Sequence, residues 1–334
     1  MNHTNLCKDI ETLFDTSSSC FDDILPPNIT DCDLLISIFR WILIDCYIER
    51  LFFPTAAILV VVGTLLNLFS LFCFLKMNKR NSQNVYLSAL SLGDTINLHI
   101  NFTIPLLRQI SRFDDFFHEY SFLCKMNSFL TEFFLIFPTW IVVLLTFERL
   151  ICILWPLKCY SLYTHKRAKI SIFILAILAM CLCLYRFYDV KGIDQTSVFA
   201  VAACGGDSSI TYSAIRYLNL IIWAILPEVL TLIMNLVIIY NIKLATQQFE
   251  PFYSKARQTK YNQATKTVLL ISILFLICHT PTGILIILNL LNATRERTIG
   301  LTMILVLRKV TVILYEISLC CKFFIYNQTF RNFK

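Results

Sequence analysis

The chain has 334 residues, of which 57% are hydrophobic and only 15% charged, and its mean hydropathy is +0.67. An ordinary soluble surface needs about 25% charged residues, so a purely water-solvated domain is excluded and lipid must solvate much of the surface. The formal charge of +7 does not point to nucleic acid, because the basic residues fall in short clusters between apolar runs, where orientation signals belong.

In chain order, Met1 to Asp33 is polar and acidic and lacks the basic start and apolar core of a cleavable signal peptide. Leu34 to Ile44 is too short to span and is broken by Arg40, which reads as an interfacial turn. Residues 1–50 are therefore expected to form an extracellular segment. Apolar runs then recur at about 51–75, 84–108, 124–153, 168–188, 212–243, 264–291 and 299–326, each near the roughly 20 residues that cross the hydrocarbon. Backbone groups in lipid must be satisfied within their own segment, so such runs predict helices. The expectation is an all-α membrane protein, a seven-transmembrane helix bundle over 51–326 with a short tail, 327–334. The 14 Cys contain no CxxC pair of metal-site spacing, and most lie inside apolar runs, where Cys behaves as a small hydrophobe. No cofactor and no metal is expected.

Lys76, Lys79 and Arg80 follow the first run, Lys158, Lys166, Arg167 and Lys169 the third, and Lys255, Arg257, Lys260 and Lys266 surround the fifth connection. By the positive-inside rule these segments are cytoplasmic, with the amino terminus outside and the carboxyl terminus inside. The sequons at Asn2, Asn28 and Asn292 then fall on extracellular segments and are expected glycosylation sites, whereas those at Asn101 and Asn327 do not.

Each run also carries a landmark. Gly63-Thr64-Leu65-Leu66-Asn67 lies in the first and Leu90-Ser91-Leu92-Gly93-Asp94 in the second; Cys124 opens the third, which closes on Glu148-Arg149-Leu150. Pro156-Leu157 follows, Cys204 lies in the predicted second extracellular loop and Pro227 in the fifth run. The sixth holds Phe275 and Cys278-His279-Thr280-Pro281, and the seventh ends in Lys322-Phe323-Phe324-Ile325-Tyr326. In this order the motifs resemble those of the rhodopsin-like G-protein-coupled receptors, most of all the invertebrate neuropeptide receptors, over residues 50 to 334. The 25 residues from Cys124 to Arg149 are the most specific element of the resemblance.

The resemblance implies a plasma-membrane receptor that is no enzyme, takes an extracellular peptide ligand, sits in the lipid bilayer and activates a heterotrimeric G protein. It implies a Cys124–Cys204 disulfide, and an activation role for Glu148, Arg149, Asn235, Phe275, His279, Pro281 and Tyr326. Arg149 would pair with Glu148 at rest and be released when the helices part; an interface anchor is the plainer alternative. Thr131 stands where biogenic-amine receptors carry Asp, and Glu316 where opsins carry the retinal Lys, which leaves Glu132, Glu316, Arg108 and Arg308 as candidate ligand contacts.

Departures are as informative. The family's toggle Trp is His279, its last-helix Asn-Pro is Lys322-Phe323, the Tyr after its Arg is Leu150, and the Tyr eight residues beyond the fifth-helix Pro is Asn235. Where relatives place a sodium-site Ser, this chain has Pro138, so Lys322 is expected to replace sodium beside Asp94; the alternative is that Lys322 snorkels to the interface. Pro105, Pro138, Pro227 and Pro281 permit kinks. The chain has no HExxH, GxSxG or Gly-rich phosphate loop. A transporter or channel is the rival reading, since intramembrane Asp, Lys and Glu can line an ion path, but no internal repeat or filter-like sequence supports it. A non-signalling receptor-like protein is a further alternative.

Overall fold

The computed structural model describes residues 32–77, 82–104, 106–107, 121–192, 204–206, 214–215, 217–219, 221–248, 255–292 and 298–329. Asn2, Asn28 and Arg108, and the side chains of Cys204 and Asn292, lie outside the described residues. The long helices are α1 (Cys32–Lys76), α2 (Ser82–Leu98), α3 (Ser121–Leu154), α4 (His165–Cys183), α5 (Leu226–Gln248), α6 (Lys255–Asn292) and α7 (Thr298–Thr329). Among the described residues, helices long and apolar enough to cross a membrane cover Arg50–Lys76, Phe122–Leu154, His165–Tyr188, Tyr217–Leu244, Gln263–Leu285 and Leu307–Thr329.

The remaining run, α2, is short and continues into a π turn, His99–Thr103. Its polar Ser82, Gln83, Asn84, Ser91, Asp94, Thr95 and Asn97 are all buried, so the polar face of α2 is turned into the protein, while Leu92 is exposed. Two helices begin well before the apolar run expected to define them. The segment read as an interfacial turn, Leu34 to Ile44, is part of α1, which runs unbroken for 45 residues; lipid needs only about 20 of them. Similarly, α6 begins at Lys255, several residues before the apolar run. A helix is limited by backbone hydrogen bonding, not by hydropathy, and so outruns the membrane span.

The chain divides into two compact units, Met1–Ala56 with Pro281–Tyr315, and Ala57–Thr280 with Glu316–Lys334. Within the first, Thr282 Oγ1 donates to Thr311 O at 3.5 Å, tying α6 to α7, and Thr311 Oγ1 donates to Arg308 O at 3.0 Å. Arg308 is exposed there, and Pro281 sits half-buried inside α6.

The second unit draws on every run. Its core joins Phe74 (α1), Tyr86, Leu87 and Leu90 (α2), Ile141, Val142 and Leu145 (α3), Ala168 (α4), Val268, Ile271 and Phe275 (α6) and Tyr326 (α7). On the part of α1 that belongs to this unit the buried residues are Val60, Gly63, Asn67, Ser70 and Phe74, a three-four spacing that defines one helix face. Ile58, Val61, Leu65, Leu68 and Phe72 point outward. Large apolar groups outside and small or polar ones inside is the arrangement lipid selects, because close backbone approach and hydrogen bonds, not hydrophobicity, hold such helices together. Asn67 Nδ2 donates to Leu319 O at 3.2 Å and Cys320 Sγ to Leu59 O at 3.3 Å.

Gly63 is where α1 comes closest. A Cβ there would run into Cys320 Sγ and lie 2.8 Å from Leu98 Cδ1. Gly63→Ala is expected to cost about 1–3 kcal/mol by overpacking, read as a lowered thermal-unfolding midpoint in bicelles, and Gly63→Val more. An unchanged midpoint for both would refute this close approach.

Candidate functional site

The charged and polar residues of the second unit form four clusters along its interior. At the end of α3, Glu148 is buried because the helix turns it toward the start of α2. Glu148 Oε1 accepts from Ser82 Oγ at 2.6 Å and from Arg149 Nη2 at 2.8 Å. Arg149 is 7% exposed, so the pair is shut rather than presented at a surface. Beyond it the chain breaks at Trp155 and Pro156 into a short helix, Pro156–Leu162, whose Cys159 forms a disulfide with Cys152. Tyr163 follows; burial, with the Glu148 carboxylate and Tyr86 close by, pushes its phenol up to about 12 against an opposing effect of Arg149.

In mid-bundle, Lys322 Nζ donates to Asp94 Oδ2 at 2.7 Å, with the Lys side chain 6% and the Asp side chain 0% exposed. Lys322 thus points inward and does not reach for an interface. Asp94 Oδ1 accepts from no described residue. Next to Asp94, a Cβ on Gly93 would meet the Pro138 ring at 3.2 Å: the residue standing in the sodium-ligand position packs its ring against α2.

A third cluster surrounds Glu132 of α3. Arg186 Nε donates to its Oε2 at 2.6 Å, while Tyr185 Oη and Asn219 Nδ2 each donate to its Oε1 at 2.9 Å. These partners come from the turn and short helix after α4 and from the approach to α5, so one carboxylate binds three segments. Ile136, Ala179 and Cys183, packed by Phe133, Trp140 and Trp223, build the apolar seat around it, and Trp140 Nε1 donates to Ile222 O at 3.1 Å in the π turn before α5.

The fourth cluster joins α5 to α6. His279 Nδ1 lies 2.9 Å from Glu228 Oε1, its ring 5.0 Å from Trp223 and 4.7 Å from Phe275. A turn or two along, Ser272 Oγ donates to Asn235 Oδ1 at 2.9 Å. Tyr326 is wholly buried and packs edge-on to Phe74 at 4.9 Å. Glu316, also wholly buried, accepts a hydrogen bond from no described residue. Cys124 is buried and disulfide-bonded, and the backbone of Cys204 opens a strand paired antiparallel with Val190–Gly192.

Ser82, Tyr185, Arg186, Asn219, Glu228 and the Cys152–Cys159 pair did not stand out in the sequence. Glu228, an acid inside an apolar run, carried a usable signal; the others are ordinary boundary residues whose partners are set by folding.

An apolar-surfaced helical chain with charged side chains buried in its interior is a multi-pass membrane protein. Residues 66–326 match the family model described as 7 transmembrane receptor (rhodopsin family), and the chain belongs to that family, with its seven-helix bundle. No curated protein matches the chain.

Proposed function

We propose that this receptor has its amino terminus outside, binds an extracellular peptide, and activates a heterotrimeric G protein when Arg149 is released at the inner end of α3. The buried Glu148–Arg149 pair, capped by Ser82 from α2, is the observation that carries this reading. Separation of α2 from α3 removes the Ser82 hydrogen bond and exposes Arg149. On the outer side, Cys124 is taken to pair with Cys204, and Asn2, Asn28 and Asn292 to carry glycans.

Of the two candidate ligand carboxylates, Glu132 is already occupied by Arg186, Tyr185 and Asn219. Glu316, which accepts from no described residue, is therefore the favoured contact for a peptide amine or guanidinium, whose charge would hold the Glu316 carboxylate ionised in a charge-assisted bond. The test is nucleotide exchange on purified heterotrimers in membranes, screened with peptide libraries. Glu316→Gln is expected to raise the half-maximal peptide concentration by roughly tenfold or more, the loss of one charged hydrogen bond. Unchanged potency for every activating peptide would remove Glu316 from the ligand site, and no peptide response on any heterotrimer would remove the signalling reading.

A binding protein that does not signal is the second reading. It is favoured by the His279–Glu228 contact, which adds a polar tie between α5 and α6.

A further inference from the structure

The Cys152–Cys159 disulfide stands one turn beyond Arg149 and spans seven residues, with the Cα atoms 4.8 Å apart. On the orientation proposed above it faces the cytoplasm, where glutathione and thioredoxin keep most thiols reduced and the disulfides that do form are commonly transient or redox-sensing. We propose that Cys152 and Cys159 are a reversible thiol–disulfide switch that holds the loop helix Pro156–Leu162 against the end of α3 and thereby damps coupling. The inference rests on the proposed orientation.

The bond ties the loop to the residues that matter. Cys152 is 2% exposed, so it is anchored on α3, and the loop helix hangs from it through backbone bonds from Trp155 N to Ile151 O and from Cys159 N to Trp155 O. Tyr163 N then bonds Cys159 O, and the Tyr163 side chain lies within electrostatic reach of Glu148 and Arg149. A crosslink at Cys159 therefore restrains the segment that places Tyr163 beside the closed Glu148–Arg149 pair. Phe147 and Ile151 of α3, with Trp155, Lys158 and Tyr163 of the loop, line a cleft of about 300 Å³ between the loop and the end of α3.

The chemistry balances with a low-molecular-weight disulfide such as oxidised glutathione. Cys159, the more accessible sulfur, attacks as thiolate and expels one glutathione thiolate, forming a mixed disulfide. The Cys152 thiolate then attacks Cys159 Sγ and expels the second. Two protein thiols are oxidised by two electrons, their two protons leave with the two glutathione thiols, and two equivalents of reduced glutathione reverse both steps.

The test uses the full receptor in nanodiscs, poised in oxidised or reduced glutathione. Peptide mapping without reductant is expected to find the Cys152–Cys159 bond only in the oxidised sample. On reduction, hydrogen exchange over residues 155–163 should accelerate roughly tenfold, as a local opening equilibrium is released. Basal nucleotide exchange on a panel of purified heterotrimers should rise roughly fivefold, an ordinary coupling between two sites. Cys159→Ser, at the less buried position, and Cys152→Ser/Cys159→Ser should both match the reduced state in either buffer. The switch is overturned if the bond never forms, if it forms with neither exchange changing, or if the serine variants respond as the parent does. A separate arm treats intact cells with a permeant reductant and then a membrane-impermeant maleimide. Labelling of Cys159 only after permeabilisation supports the orientation; labelling in intact cells overturns orientation and switch together, whereas redox insensitivity with inner labelling overturns the switch alone.

Discussion

Asp94→Asn and Lys322→Met are each expected to destabilise the receptor by about 3–5 kcal/mol, because each leaves a buried charge without its partner. The pair is closed at 2.7 Å and both side chains are almost entirely shielded, so neither variant can recover by hydration. Insertion alone already makes a lone charge at a helix centre cost about 2.5–3.5 kcal/mol. The double variant should regain part of the loss, with a coupling of roughly 1–3 kcal/mol, read from surface expression and thermal unfolding in bicelles. The ammonium already holds Asp94 Oδ2 at 2.7 Å, and Pro138, packed against Gly93, offers no hydroxyl to ligate a sodium ion. Exchanging sodium for choline at constant ionic strength should therefore leave the unfolding midpoint unmoved. Strictly additive single variants, or a strong sodium effect, would dismiss Lys322 as the counter-ion.

The second large effect is expected at Glu132. Glu132→Ala removes the acceptor for Arg186, Tyr185 and Asn219 at once and takes from the Arg186 guanidinium, 24% exposed, its 2.6 Å carboxylate contact. A loss of about 3 kcal/mol is expected, at the lower end for a broken, mostly buried ion pair. Glu132→Gln keeps an oxygen for Tyr185 and Asn219 but no charge for Arg186, so it should lose roughly half as much; Tyr185→Phe and Asn219→Ala should each cost about 1 kcal/mol. Thermal unfolding of the unliganded receptor checks the ranking. A Glu132→Gln variant of full stability but weakened peptide potency would instead make Glu132 a ligand contact.

Both expectations concern charges visible as anomalies in the sequence, since Asp94, Lys322 and Glu132 interrupt apolar runs. What differs is how far their partners were readable. The family's motif order puts Asp94 and Lys322 at matching depths on α2 and α7, and depth in a membrane nearly specifies a partner when only one opposite charge shares the layer. Glu132 has no such landmark. Its partners lie after α4 and before α5, where the chain leaves the regular helix and hydropathy carries no information about direction. The same limit applies at His279: its place in the sixth run is legible, yet its contact with Glu228 depends on how α5 and α6 are rotated.

The first helix makes the opposite point. Hydropathy locates the part that crosses lipid, Arg50–Lys76, but helix geometry decides where the element begins, at Cys32, because hydrogen bonding continues wherever the backbone permits.

Number of crossings, family membership and the Glu148-Arg149 motif were determined by the sequence alone, since they depend on run length, residue spacing and local charge. Pairings across 54 residues for Glu132 with Arg186 and 51 for Glu228 with His279 were decided only by tertiary structure. Which side chains meet is set by helix rotation and register, and these follow from the packing of all the helices together rather than from any one segment.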